Sequence, residues 1–271
     1  GVKIHLNTRI GKDIAFDKLK SDYSAVFIGC GTMKSSKLNI PGEDMKGVVH
    51  GVDYLMKVNL GEKVSLGDKV AVIGGGNVAM DAVRTAVRTG SKEVFILYRR
   101  TRAEMPASPE EIEEAIEEGI EMKFLVAPKK VVGQDGKVTG IECTRMELGE
   151  PDASGRRRPV EIKGSEFIVE CDAIVPAIGQ EADLSFITKE SGVSINKWNN
   201  VDFDKITYAT NVPGIFTGGD VSTGPQTVVK AVFSGKEAAK SIDRYLRGED
   251  MKAGREKDWT KDLADKADLS N

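Results

Sequence analysis

The feature that most constrains the fold of this chain is a glycine-rich turn between an apolar strand and an alanine-rich helix. Residues 70–79 read VAVIGGGNVA, which is G-x-G-x-x-A spacing. In such a motif Gly74 makes the turn, Gly76 lets the backbone approach a pyrophosphate, and the small Ala79 permits close helix–strand packing. The helix N-terminus adds free N–H groups and a positive dipole end. The predicted dinucleotide site consists of Gly74, Gly75, Gly76, Asn77, Val78 and Ala79.

Strand and helix patterns alternate along the chain, which predicts an α/β fold. The glycine turn lies in a compact βαβ unit, with a strand at 70–73, a helix at 78–89, Gly90 as its C-cap, and a strand at 94–98. Short apolar strands that end in glycine are also predicted at 25–28, 173–178 and 215–217.

Two further segments have clear patterns. Residues 131–169 alternate between apolar and polar positions, with turn signals at Asp135-Gly136 and Ser154-Gly155, which predicts a three-stranded antiparallel meander. Ser108 and Glu111 have the spacing of a capping box that opens a helix. A last helix is predicted over 226–246, and its inward positions are Val229, Val232, Phe233, Ala238, Ile242 and Tyr245.

The end of the second strand indicates which dinucleotide would bind. An NAD site carries Asp or Glu there, because a carboxylate accepts a hydrogen bond from the ribose 2′-hydroxyl. Residues 98–102 instead read YRRTR. Guanidinium groups suit a doubly charged phosphate and cannot act as acceptors. We therefore predict that Arg99, Arg100 and Arg102 bind the 2′-phosphate of NADP; the alternative is a solvated basic loop.

Composition argues against several other classes of protein. The formal net charge of −3 does not suit a nucleic-acid-binding protein, which carries a basic field. No apolar run approaches the roughly 20 residues of a membrane span. The cysteines Cys30, Cys143 and Cys171 lie far apart without C-x-x-C spacing, which predicts no disulfide framework and no metal site, and suits a reducing cytoplasm. The sequence indicates no catalytic acid–base residues.

Four segments together resemble the NADPH–FAD oxidoreductases of the glutamate synthase small (beta) subunit family. This family includes the large subunit of NADH-dependent ferredoxin:NADP oxidoreductase. The segments are GGGNVAMDAVRTAVRTG, YRRTRAEMPA, VPAIGQ and FTGGDVSTGPQTVVKAVFSGKEAA, and the resemblance covers roughly residues 1–247. It implies two interleaved Rossmann-like domains of the pyridine nucleotide-disulfide oxidoreductase type, with the NADP domain inserted into the FAD domain. It also implies iron–sulfur clusters on an upstream domain or on a partner subunit.

The resemblance assigns further residues to the flavin. Gly219 and Asp220 match the second FAD motif of the family, whose aspartate contacts the ribityl chain. The following helix resembles the one whose N-terminus faces the flavin pyrimidine edge, where its dipole stabilises the reduced anion. Two glycine-ended strands are similar to those that connect the domains. The additional residues implied in this way are Gln226, Thr227, Val228, Gly29, Gly31, Ile178 and Gly179.

The predicted FAD domain is incomplete. No G-x-G-x-x-G strand–helix unit precedes Ala25, and the glycines at 29–31 lead into no suitable helix, so the chain resembles the C-terminal part of a longer enzyme. The predicted divisions are a partial FAD domain at 1–48, the NADP domain at 49–182, a return to the FAD domain at 183–247, and a loosely attached charged tail at 248–271, with Trp259 as its aromatic anchor.

Three functions follow as hypotheses. The first is hydride transfer between NADPH and FAD, with electrons exchanged with iron–sulfur centres supplied by missing or partner segments. The second is a thioredoxin-reductase-like flavoprotein, against which the lack of C-x-x-C counts. The third is a nucleotide-binding or docking module without turnover in this truncated form. NADP is the cofactor that the motifs predict; FAD is implied by the family alone, and this chain is expected to retain little or none.

Overall fold

A computed structural model describes residues 1–152 and 155–255 of the chain. The helices are α1 (Phe16–Asp22), α2 (Gly51–Asn59), α3 (Asn77–Arg88), α4 (Pro109–Glu117), α5 (Asp220–Thr223) and α6 (Val228–Arg247). The strands are β1 (Val26–Ile28), β2 (Lys34–Ser35), β3 (Lys69–Ile73), β4 (Glu93–Tyr98), β5 (Glu121–Phe124), β6 (Val126–Gln134), β7 (Lys137–Pro151), β8 (Arg157–Glu161), β9 (Phe167–Glu170), β10 (Ala173–Pro176), β11 (Gln180–Glu181) and β12 (Ile215–Thr217).

The chain divides into two compact units, one of which interrupts the other. Among the described residues, unit 1 comprises 1–34 and 180–255, and unit 2 lies within residues 35–179. The domain boundaries predicted from the sequence lie later in the chain, after residues 48 and 182. Residues 35–48 belong to unit 2 because Leu38, Ile40, Met45 and Val48 pack against its core, and the Val131 amide donates to the Pro41 carbonyl at 2.9 Å.

Unit 2 is built on a parallel sheet of order β10-β3-β4-β5. Alternate residues of its central strands point to opposite faces. Val70 and Val72 face a core shared with α2, α3 and α4, while Ala71 and Ile73 face the antiparallel strands. The predicted βαβ unit is therefore confirmed, with boundaries shifted by one residue. Both faces of its strands are buried, as in other parallel sheets.

The antiparallel part of unit 2 is centred on the long strand β7. β6 and β9 pair with its first half, which gives the predicted three strands, and β8 pairs with its second half as an added hairpin. The predicted turn at Asp135-Gly136 is present, and both residues have positive φ. The other turn signal, at 154–155, falls partly outside the described residues.

Unit 1 contains a parallel pair of short strands, β1 and β12, over a small apolar core. α6 packs on this unit through Ala238 and the small residues Ser234 and Ser241, all buried. The prediction that Val229 and Val232 point inward is wrong: both are exposed. The first half of α6 therefore presents an apolar stripe that no described residue covers.

Residues 248–255 fold back onto unit 1, so this part of the predicted tail is not loose. The Arg255 guanidinium donates to the Ile206 carbonyl at 2.7 Å and to the Glu237 carboxylate at 2.9 Å, and Lys252 pairs with Asp204 at 2.6 Å. Trp259 lies outside the described residues. Within the described part of the chain, no helix combines the length and apolar character that a membrane crossing needs.

Candidate functional site

The candidate site in unit 2 lies where three neighbouring parallel strands end. Ile73 is aligned with Leu97 of β4 on one side and with Pro176 of β10 on the other. The segments that follow these strands carry the glycine turn, the arginines after Tyr98, and the predicted site residues Ile178 and Gly179. Ligands of open α/β sheets bind outside such carboxyl ends, so the fold brings these predicted residues to one edge.

Gly74 is required by the protein's own packing. Its φ is +148°, a conformation that L residues rarely adopt, and an added Cβ would lie against the Ala177 carbonyl oxygen and 2.9 Å from the carbonyl carbon. The Gly74 amide donates to the Leu97 carbonyl at 3.2 Å, which ties the turn to β4. Glycine here lets the ends of β3 and β10 approach closely.

Gly76, unlike Gly74, is not required by the packing of the protein itself. It is the N-cap of α3 in an extended conformation, with φ −96° and ψ 179°. The nearest heavy atom to an added Cβ is the Pro106 Cγ at 3.8 Å, so nothing in the unit fills the space in front of it. The amides of Gly75, Gly76, Asn77 and Val78 donate to no acceptor among the described residues. This cradle fits an anion at the helix N-terminus.

Ala79 supports the cradle from behind. It has no exposed surface and lies in the core between α3 and the sheet. A larger side chain there would push the first turn of α3 away from β3, because protein cores are close-packed. The structure thus gives Ala79 a packing position, as the motif predicts.

Residues 101–108, here called the covering segment, lie over the glycine turn. Ala107 donates its amide to the Gly75 carbonyl at 3.2 Å, and Ser108 donates its amide to the Asn77 Oδ1 at 3.3 Å. Ser108 is the N-cap of α4 as predicted, but its side chain makes no capping hydrogen bond. Asn77 therefore holds the covering segment with its side chain and leaves its amide for a ligand.

The capping box occurs at Thr101 and Glu104 instead. The Thr101 amide and hydroxyl donate to the Glu104 carboxylate at 3.0 and 2.5 Å. The Thr101 hydroxyl holds the pKa of Glu104 below its ordinary value, and the nearby charge of Arg157 adds to that shift. Sequence reasoning missed this box, although T-x-x-E at 101–104 is its signal.

The three predicted arginines are placed differently. Arg99 is exposed, and its side chain has no hydrogen bond or ion pair within the described residues. Arg102 pairs with Glu113 at the surface. Arg100 is only 6% exposed and donates to the Asp152 carboxylate and to the Arg157 carbonyl, both at 2.8 Å. Two of the Arg100 donors, Nε and Nη2, are therefore engaged by the hairpin, and this favours a positioning role over the predicted contact with a phosphate.

Unit 1 brings together a second group of predicted residues. Ile28 and Thr217 are aligned at the ends of β1 and β12, so Gly29 and Gly219 follow at the same edge. An added Cβ at Gly219 would meet nothing closer than the Ala231 Cβ at 3.8 Å. Gly31 has φ +68° with open space around it. Gly31 and Gly219 thus leave space at this edge, whereas an added Cβ at Gly29 would lie 2.7 Å from the Phe27 ring.

Asp220 and the start of α6 complete this group. The Asp220 Oδ1 accepts the Gln226 amide at 3.1 Å, and Oδ2 accepts no hydrogen bond among the described residues. Thr227 is the N-cap of α6, and Val228 is its first, exposed residue. A carboxylate oxygen and an exposed helix N-terminus thus remain available for a polar ligand. These residues are compatible with contacts to a flavin. In the described part of the chain, no strand before Val26 leads through a G-x-G-x-x-G turn into a helix.

No group of three or more His, Cys, Asp and Glu side chains in the described ranges is arranged to hold a metal ion. Cys143 and Cys171 are buried, and burial raises the pKa of each thiol to about 12. Cys30 is the exposed thiol among the three.

A family model described as pyridine nucleotide-disulphide oxidoreductase matches residues 2–235. The chain belongs to this family. Within the pyridine nucleotide-disulphide oxidoreductases, it is 51% identical over 250 residues to the NADP(+)-dependent formate dehydrogenase subunit beta of Moorella thermoacetica, covering 91% of this chain and 35% of that protein. It is 40% identical over 262 residues to the glutamate synthase [NADPH] small chain of Escherichia coli, covering 91% and 55%.

The fold of the family is also seen in solved structures. The chain superposes on Mycobacterium tuberculosis FprA in complex with NADPH with a TM-score of 0.72, at 20% identity, covering 96% of this chain and 72% of that one. The resemblance inferred from the sequence and the α/β fold class are both confirmed. The chain spans between about a third and just over half of the length of these two curated relatives.

Proposed function

We propose that this chain carries the NADPH-binding site and part of the FAD site of a flavin oxidoreductase of the glutamate synthase small-subunit type. The observation that carries the proposal is the cradle at Gly76, with an open Cβ position and four amides without acceptors. A helix N-terminus with free amides and no side chain in front of it suits a pyrophosphate. The amides of Gly75, Gly76, Asn77 and Val78 would hold the pyrophosphate. Gly74 would shape the turn and Ala79 would pack the helix behind it.

Arg99 would select NADPH over NADH. It follows the strand next to the glycine turn, is exposed, and its guanidinium is uncommitted within the described residues. Arg102 would assist after releasing Glu113, a surface partner that costs little to give up. The specificity site therefore consists of Arg99 with Arg102.

The flavin would lie at the edge of unit 1, against Gly29, Gly31, Gly219 and Asp220, with the first turn of α6 near its pyrimidine. Ile178 and Gly179, of which Ile178 is half exposed, would line the nicotinamide side of the site in unit 2. When bound, the two cofactors supply hydride transfer between the nicotinamide and the isoalloxazine. The protein residues bind and orient them, and no acid–base pair is needed.

The remaining assignments rest on the names of the relatives. One relative is named as the beta subunit of a formate dehydrogenase and another as a glutamate synthase small chain, so we propose that this chain works with a partner subunit or domain. The resemblance to the glutamate synthase small-subunit family implies that this partner carries iron–sulfur centres. The second candidate function is a nucleotide-binding module without turnover. It is favoured by unit 2, which contains the whole β3–α3–β4 nucleotide-binding unit within one continuous segment.

Titration of NADPH and NADH against the wild-type chain and Arg99→Ala tests the NADPH site. A charge-assisted hydrogen bond is worth about 1.5–3 kcal/mol. Arg99 is exposed, so we expect the lower end, a roughly 10-fold loss of NADPH affinity. NADH affinity should stay unchanged, and the wild-type preference for NADPH should shrink as salt rises. Equal losses for both nucleotides would refute the assignment of Arg99.

Flavin content separates the two candidate functions. Heating the purified chain and recording the absorbance of the supernatant measures the FAD that it retains. We expect little or none, because no described residue supplies a second pyrophosphate loop. Stoichiometric FAD would contradict this expectation and would favour a chain that is active in hydride transfer by itself.

A further inference from the structure

The hairpin formed by the second half of β7 with β8 is attached to the end of β4. Arg100 is the attachment point, since its guanidinium donates to the Asp152 carboxylate and to the Arg157 carbonyl, both at 2.8 Å. The side chain of Asp152 is 23% exposed, so this ion pair is largely shielded from water. The Arg100 carbonyl accepts the Leu125 amide, and the Leu125 carbonyl accepts the Met146 amide at the base of the hairpin.

Both neighbours of Arg99 are therefore fixed. Tyr98 is buried, and its hydroxyl donates to the Glu104 carbonyl at 2.7 Å. Arg100 is buried and forms an ion pair with Asp152. Arg99 stands between them and is exposed. A long side chain on an otherwise free strand end samples many orientations, and anchoring its backbone on both sides reduces the entropy lost when it binds.

The charge of the hairpin also influences the covering segment. The charge of Arg157 contributes to lowering the pKa of Glu104, whose carboxylate closes the capping box with Thr101. The Arg157 guanidinium is itself held by the Leu148 and Gly149 carbonyls. The hairpin is thus attached to the end of β4 by hydrogen bonds, and it influences the segment that carries Arg102 through the charge of Arg157.

We propose that Asp152 and Arg100 are positioning residues for nicotinamide cofactor selectivity: their ion pair clamps the hairpin to the end of β4 and so orients Arg99 towards the 2′-phosphate. Neither residue touches the cofactor. The inference rests on the proposed NADPH site, because it concerns how that site is held in shape.

The clamp and simple electrostatics predict opposite effects on NADPH affinity when the charge of Asp152 is removed. Asp152 is a negative charge close to a site for a dianionic phosphate, so its removal should tighten NADPH binding if only the field mattered. If the clamp matters, Asp152→Asn should weaken NADPH about 2- to 10-fold, which is the range for the immobilisation of one long side chain. NADH, which lacks the 2′-phosphate, should bind as before.

The test compares Asp152→Asn, Arg100→Met and the double variant by titration with NADPH and NADH. Each single variant should lose NADPH affinity selectively, and the double variant should lose no more than the worse single one, because both remove the same contact. Hydrogen exchange at the amides of residues 146–152 and 155–161 should become faster in all three. Unchanged NADH binding shows that the nucleotide-binding unit is still folded. If Arg100→Met fails to fold, Asp152→Asn alone decides the test.

Arg158→Met is the matched control. It removes a positive charge from the same hairpin, and the Arg158 side chain has no hydrogen bond or ion pair within the described residues. It should change NADPH affinity less than Arg100→Met does. The proposal is overturned if Asp152→Asn leaves NADPH affinity unchanged or raises it, or if Arg158→Met matches Arg100→Met. Arg99→Ala distinguishes a failure of the clamp from a failure of the proposed NADPH site. If Arg99→Ala still binds NADPH like the wild type, the assignment of the NADPH site is refuted together with the clamp.

Discussion

Gly76→Ala should separate the requirements of the fold from those of the cofactor. Gly76 is extended, with φ −96° and ψ 179°, which alanine adopts without strain. The nearest atom to the new Cβ would be the Pro106 Cγ at 3.8 Å, an ordinary contact. Alanine is a poorer N-cap than glycine, but it also restricts the unfolded chain. The two effects oppose each other, so the free energy of unfolding should change by less than about 1 kcal/mol.

The same methyl group should obstruct NADPH. It would stand in front of the amides at the start of α3, where the pyrophosphate has to approach. Losing one charge-assisted hydrogen bond costs about 1.5–3 kcal/mol. NADPH should therefore bind roughly 10- to 150-fold more weakly, which calorimetric titration measures directly.

Gly74→Ala is the matched control for this experiment. Its φ of +148° and the approach of its Cβ to within 2.9 Å of the Ala177 carbonyl carbon should destabilise the protein itself. Strain and overpacking together cost about 2–6 kcal/mol, and each kcal/mol lowers the melting temperature by about 2–4 °C. The reasoning fails if Gly76→Ala binds NADPH like the wild type, or if it melts as early as Gly74→Ala.

Two further predictions concern pH and thiol reactivity. Burial alone would raise the pKa of Asp204, but the hydrogen bonds from Lys252 and from nearby amides outweigh it and lower the pKa from 3.8 to about 2. A carboxylate with a depressed pKa stabilises the fold above its unfolded pKa and loses that effect as pH falls through the folded value. The melting-temperature difference between wild type and Asp204→Asn should thus shrink between about pH 4 and pH 2; a constant difference would contradict it. Since burial raises the pKa of Cys143 and Cys171 to about 12, these two thiols should react slowly with a thiol reagent at about pH 8. Partial burial raises the pKa of Cys30 as well, but this thiol is exposed and should react first. Three thiols that react equally fast in the native chain would refute this.

The sequence predicted the βαβ unit of the site well because two local signals agree there. The period of the apolar residues changes from strand to helix at Gly74, and the glycine spacing marks the same turn. The pattern predicts a packed Ala79 and an open Gly76; the structure buries Ala79 in the core and leaves the Cβ position of Gly76 empty.

The sequence could not show which of two adjacent side chains is buried where burial depends on residues distant in the chain. Arg99 and Arg100 have the same chemistry, and only the hairpin partner Asp152, more than fifty positions away, shows which one is buried. The apolar residues Val229 and Val232 posed a similar problem. Periodicity identifies an apolar stripe on a helix, but it does not tell what covers that stripe.

The interruption of unit 1 by unit 2 has a consequence for the order of folding. Unit 2 is one continuous segment, whereas the β1–β12 pair joins residues 189 positions apart, as the Thr217–Ile28 hydrogen bond illustrates. Long-range pairing of this kind is delayed by loop-closure entropy. The ends of unit 2 are already tied together by the Ser36 amide and the Gly179 carbonyl at 3.0 Å.

Once unit 2 has formed, the loop that must close to pair β1 with β12 becomes about four times shorter, which lowers its closure cost by roughly 1.2 kcal/mol. Unit 2 should therefore act as the folding nucleus of the whole chain, with unit 1 assembling only after residues on both sides of it have been synthesised. A segment of residues 35–179 should then fold cooperatively alone, while residues 1–34 and 180–255 depend on it.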